Sequence, residues 1–256
     1  MNRSDKDVPI FTVGVLSAIA ASTAFCGLGA VGILAISCLL TLVTRLFLKQ
    51  LFSDTRPAEA VCCALFTTVL GFLADRYLYY GLEEMRAYLP FLAADGALFC
   101  AKDYGGKTQA KKTALETLSI AAMILFTGVL REIARGSLFG IALWDGIGFL
   151  PAVGGALLLF GLLSSFFPAD YGKGNARSLP FAAAAFFTCL LFQLAGAEFS
   201  FTEETLKCLL FLLAAALALY FAEKRMRYTV PERAKKSALT TSAGFFAMAL
   251  DFVRFF

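Results

Sequence analysis

Histidine is absent from the 256 residues, tryptophan occurs once, and charged side chains make up only 16%. A soluble domain averages about 25% charged residues, so this chain is short of the groups that keep a surface in water. The seven cysteines (Cys26, Cys38, Cys62, Cys63, Cys100, Cys189 and Cys208) make no CxxC pair, and there is no histidine to join them. That excludes a zinc framework. They lie in or beside apolar runs and read as small buried hydrophobes. Alternation of β-branched residues is sparse, which disfavours a membrane barrel. The opening "MNRSDKD" leads into further apolar runs, so a cleavable leader is not expected. A net charge of +4, with the basic residues at the ends of apolar runs, is no nucleic-acid signal.

What the chain has is apolar length. Hydrophobic residues make up 59% and the mean hydropathy is +0.74, with Leu, Ala and Phe dominant. The fold class read from this is an all-α integral membrane protein. A full crossing needs about 20 apolar residues. The candidate spans are 9–25, 28–48, 58–79, 87–101, 114–131, 150–167, 180–197 and 205–222. The first is crowded with small residues and the fourth carries Asp95 and Gly96, so both are expected to be short or broken. Short, interrupted spans at matching places in two halves suggest an inverted repeat, spans one to three against four to six, with a site at the midplane. Of the 23 Lys and Arg, 18 fall at the N-terminus and in every second loop, and 5 on the other side. By the positive-inside rule both termini are cytoplasmic, with eight crossings. The tail 238–256 reads as an interfacial amphipathic helix.

The stretch "LPFLAADGALFCA", 89–101, places one carboxylate in the middle of an apolar run. A lone buried charge there is costly. Asp95 therefore reads either as a cap for a following helical segment or as an ion or proton site. Glu116 is the second such candidate, with a first-turn position at the membrane surface as its alternative. Arg131 and Glu132 end the fifth span and read as a local ion pair that anchors it at the interface.

The segment "TALETLSIAAMILFTGVLREIARGSLFG", 113–140, resembles the Rnf/Nqr family of membrane subunits, RnfE and NqrD most of all. Arg131 and Glu132 match the family's Arg-Glu pair. Gly136, Ser137, Leu138, Phe139 and Gly140 match its "GTLFG", with Ser for Thr. Glu116 stands where the family has an acid. "FTVGVLSAIAAS", 11–22, is similar to the family's first helix and "LPAVGGALLLFGLL", 150–163, to its last. The likeness covers residues 8–167, leaving 168–237 as two added helices with a basic segment.

The resemblance implies six helices in two inverted repeats, with two half-helices meeting near the membrane centre. It implies a membrane subunit of an Rnf-like ion-translocating electron-transport complex of the ferredoxin:NAD type, in a bacterial-type inner membrane. Its partners would be the bilayer, a homologous subunit or a second copy of itself, and other electron-transfer subunits, with catalysis elsewhere. In the family each of two paired subunits gives two cysteines to a 2Fe–2S cluster. Here those positions are Leu16 and Gly96, which cannot ligate iron, so no cofactor is expected in this chain. The departure leaves open two other readings: an ion or small-molecule transporter reusing the scaffold, and a non-redox assembly subunit.

Overall fold

The computed structural model describes residues 16–51, 54–78, 82–100, 107–146, 153–166, 179–196 and 199–226, together with 240, 241 and 244. Nearly all of these are helical. A short helical segment, α1 (16–20), stops at Ala21 and is followed after three residues by α2 (Ala24–Leu51) and α3 (Arg56–Leu78). One turn of helix, α4 (Glu83–Arg86), then precedes the short α5 (Leu89–Cys100) and the long α6 (Lys107–Ala134). Beyond a small antiparallel hairpin, β1 (Ser137–Leu138) and β2 (Ile141–Ala142), come α7 (Val153–Phe166), α8 (Leu179–Ala195) and α9 (Phe199–Met226). Three of these helices, α2, α3 and the Thr117–Ala134 part of α6, are long and apolar enough to cross a membrane. The chain is read here as a membrane protein on that basis.

The helices begin and end where side chains can satisfy the backbone. Thr23 caps α2 by accepting the Cys26 N–H at 3.1 Å. Pro57 is tolerated in α3 because a first-turn residue needs no N–H partner, and Pro90 and Pro180 sit in the same place in α5 and α8. Outward-facing Leu28, Leu39, Leu46 and Phe47 on α2 are exposed, which suits a lipid-facing side. At Gly128 of α6 a Cβ would lie 2.5 Å from the Thr23 carbonyl oxygen. Glycine there lets α6 press against the start of α2, as small residues do between membrane helices.

The core is organised around α5, of which every residue but Phe99 is buried. It packs against α2, α3 and α8. One apolar cluster joins Leu89, Phe91 and Leu92 of α5 to Phe186 and Leu190 of α8. A smaller cluster sets Ala18 and Ala21 against Ile120, Met123 and Ile124 of α6 and Phe160 of α7. The small residues of α1 let that segment lie between the two clusters, with Ile19 and Ala20 in one and Ala18 and Ala21 in the other.

Several sequence expectations shift. The second helix starts at Ala24, not 28, so the first candidate span ends by residue 20; its residues 9–15 lie outside the described ones. The fourth span is short, 12 residues, as expected of a short or broken span, but it is not broken at Asp95 and Gly96. Both lie inside an unbroken α5, and the interruption is at Ala87 and Tyr88. The all-α reading missed the β1–β2 hairpin. In the tail, Thr240 and Gly244 are buried, and a Cβ at Gly244 would meet the Gly154 carbonyl oxygen at 2.6 Å. That part of the tail packs on α7; the rest lies outside the described residues.

The helices beyond residue 167 are joined to the core by more than apolar contact. Gln193 of α8 donates to the Arg86 carbonyl at 2.7 Å, and Thr205 of α9 donates to the Ala87 carbonyl. Both acceptors sit at the interruption before α5, where helical partners are missing. A chain ended at residue 167 leaves these carbonyls and one side of α5 uncovered. We expect that truncated chain to insert but to lose the protease resistance of the full-length protein in detergent. Equal resistance would show that α8 and α9 are dispensable.

Candidate functional site: the junction of α1, α5 and α6

Two helix interruptions and one buried acid define the site. Asp95 is fully buried. Its Oδ2 accepts from the Ser17 backbone N–H at 2.7 Å and also from the Ser17 hydroxyl. The other carboxylate oxygen, Oδ1, is buried without a hydrogen-bond partner among the described residues. Asp95 thus meets α1, not the segment that follows it in sequence. Its capping contact spans 78 positions. Two neutral donors on one oxygen do not neutralise a carboxylate, and an isolated buried charge is far too costly to persist. The group either carries a proton or sits beside a cation.

At the other end of α1 the chain is held by α6. The Arg131 guanidinium, 2% exposed, donates to the carbonyls of Ile19 at 3.1 Å and Ala21 at 2.8 Å. These are acceptors that an ended helix leaves open, and a cation there also meets the negative end of the helix dipole. The adjacent Glu132 turns to the opposite task. Its Oε2 accepts the Ala24 N–H at 2.9 Å, at the start of α2. Its Oε1 accepts the Gly140 N–H at 3.0 Å. Arg131 therefore closes one helix while Glu132 opens the next. A surface-anchoring pair, as expected from sequence, does not describe these contacts.

The remaining motif residues build the hairpin that Glu132 grips. Gly136 and Gly140 have φ of 84° and 79°, and Phe139 has φ of 49°. The two central turn residues, Phe139 and Gly140, are thus both left-handed, the requirement of a tight two-residue hairpin. Ser137 pairs with Ala142. Glu116 lies in α6, but its side chain is outside the described residues, so no meeting with Asp95 is described.

Sequence reading missed a cluster of thiols beside Asp95. Cys38 of α2, Cys63 of α3 and Cys100 of α5 are all buried and interact with one another. Cys38 Sγ lies 3.8 Å from the Gly96 carbonyl oxygen, and Cys100 Sγ lies 3.9 Å from that of Cys38. A Cβ on Gly96 would come within 2.6 Å of Cys63 Sγ and 3.6 Å of Cys38 Sγ. The sulfurs of neighbouring helices occupy the space that a side chain at position 96 would need. Leu16, the other position compared with a family cysteine, packs against the apolar core. The end of α5 is fixed by Arg45, which grips Glu59 with Nε–Oε1 of 2.7 Å and Nη2–Oε2 of 2.8 Å and donates to the Cys100 carbonyl at 2.9 Å. Only the spacing of cysteines on three different helices could have signalled this cluster, and spacing does not reveal which faces meet.

Two measurements check this geometry. Arg131→Met leaves two buried carbonyls without their donor, at about 1–3 kcal/mol each. We expect a clear fall in melting temperature in detergent, with Arg131→Lys in between because an ammonium lacks the guanidinium fork. Gly96→Ala gains helix propensity but meets the Cys63 sulfur, a crowding cost of about 1–3 kcal/mol. The same change in a Cys63→Ala background should therefore be more favourable by about 1–2 kcal/mol. Additive effects of the two substitutions would remove the sulfur as the obstacle.

Set against protein-family models, curated proteins and solved structures, the chain matches none.

Proposed function

We propose that this chain is a membrane subunit of an Rnf-like ion-translocating electron-transport complex, and that its own task is the passage of a cation or proton at the Asp95–Ser17 junction. Electron transfer and nucleotide chemistry belong to other subunits. The observation that carries the reading is Asp95: a fully buried carboxylate with one oxygen held by Ser17 and the other without a partner among the described residues. An ionisable group inside a membrane protein is retained at a cost and marks an ion or proton route by default. The reading also draws on the resemblance over residues 8–167, with α1 and α5 as the two half-helices of an inverted repeat. Both termini and the loop after α5 then face the cytoplasm, as the basic residues direct.

A transporter working without redox partners is the second reading. It is favoured by the filled space at Gly96, where the family would place a cluster ligand and this chain places the Cys63 sulfur. The two readings share the Asp95 site and differ in company. Purification from native membranes with flavin- and iron–sulfur-containing subunits attached supports the first; purification alone supports the second.

The shared site is tested by Asp95→Asn, which keeps shape and acceptor oxygen but removes the charge. Under the proposal the wild-type melting temperature rises with sodium or changes with pH, because a bound cation or proton stabilises the folded form by mass action. The variant inserts and folds but loses that dependence. Superimposable curves for the two proteins against both sodium and pH would sink the ion-passage reading and leave Asp95 as a structural tie to α1.

A further inference from the structure

The hairpin after α6 presents an apolar surface that the bundle does not cover. Residues 136–144, "GSLFGIALW", contain no charge. Phe139, Ile141, Leu143 and Trp144 are each more than half exposed. The loop is not slack. Leu143 and Trp144 both donate to the Gly136 carbonyl, at 2.6 and 3.2 Å, and Glu132 holds the Gly140 N–H. At Gly136 a Cβ would lie 2.0 Å from the Trp144 carbonyl oxygen, so only glycine allows the two arms to close. The apolar tips are presented on a fixed frame.

Position decides what they meet. The hairpin begins where the apolar Thr117–Ala134 stretch of α6 ends, at the edge of a membrane crossing. Phe139 stacks edge-to-face on Phe25 at 5.8 Å, and Phe25 opens the exposed side of α2. The patch is therefore continuous with the lipid-facing sides of two crossing helices. Depth follows from the backbone. Among the described residues each strand pairs only with the other, so the outer edges carry polar groups with no partner strand there. Such edges cannot lie in hydrocarbon, but they are satisfied in the hydrated headgroup layer. That layer is also where tryptophan is favoured. Arg135 and Glu84, paired at 3.1 Å beside the hairpin, supply charge at the same level.

From this we infer that the 136–144 hairpin is a membrane anchor, with Phe139, Ile141, Leu143 and Trp144 inserted among the lipid headgroups on the side where α6 ends. The occupant of the patch is the phospholipid interface, not a second protein. The anchor sets the depth of α6, and with it the depth of the Arg131–Glu132 clamp.

Trp144 is the only tryptophan in the chain, so the unaltered full-length protein reports on itself. The protein is reconstituted into phosphatidylcholine vesicles. Its fluorescence is quenched in turn by phosphatidylcholine carrying a quencher near the headgroup, by the same lipid with the quencher near the chain end, and by aqueous iodide. The anchor requires stronger quenching from the headgroup-proximal position than from the chain end, and weaker iodide quenching than free tryptophan amide shows. Iodide quenching equal to that of the free amide would place the residue in water and overturn the inference. Strongest quenching from the chain end would also overturn it. Failure of all three quenchers would mean that protein covers the patch, which equally ends the proposal.

Discussion

A helix that ends within a folded protein leaves backbone groups that need partners, and burying them without one is costly. This chain interrupts its helices at residues 21–23 and at 87–88, and the rest of the structure is arranged to satisfy what those interruptions expose. Arg131 and Glu132 serve the first. Gln193 and Thr205 serve the second. All four reach across long sequence separations. The charged residues Glu59, Arg131 and Glu132 are buried at helix ends, whereas the polar residues buried along helix walls are mainly hydroxyls such as Thr41, Thr68 and Thr127, which donate to carbonyls of their own helix.

With its ends secured, α5 becomes a fixed rod in the middle of the bundle. Arg45, itself gripped by Glu59, holds its last carbonyl, the α8 and α9 side chains hold the residues just before it, and Asp95 ties its centre to α1. Such fixing has a chemical use. Under the proposed ion-passage reading, a carboxylate that cannot swing away would keep its second oxygen aimed at one place, so that a cation would be bound or released without the site first being assembled. The same rigidity explains the packing beside it, where the three thiols crowd the α5 backbone at its glycine.

Much of the helical layout was legible in the letters. Apolar length located α2, α3, α7 and α8 to within four residues, since burial and lipid contact both demand continuous runs, but it missed the first turns of α6 and α9, which begin seven and six residues earlier than the apolar runs. The interruptions were harder. Asp95 and Gly96 carried the usual marks of a break, a charge and a flexible residue, yet the helix runs through them. The charge is answered by Ser17 from another segment, and the glycine makes room for sulfur. The actual interruption at Ala87 and Tyr88 has no glycine; its one local sign is Pro90, which suits a helix start. Arg131 and Glu132 stood out as a motif, but their tasks depend on partners about a hundred residues away, which no local pattern encodes. The hairpin's turn was written in Gly136 and Gly140, although a positive φ at Phe139 is not something its residue type announces.

The contact between Gly96 and Cys63 also constrains how this sequence can change over time. A side chain at position 96 is obstructed by a sulfur that belongs to α3, so its cost depends on what stands at position 63. Loss of the sulfur first makes the second step easy; the reverse order passes through a crowded intermediate. The two positions therefore form an ordered pair in which history matters. A lineage carrying Cys63 holds α5 bare at its centre until that residue is replaced.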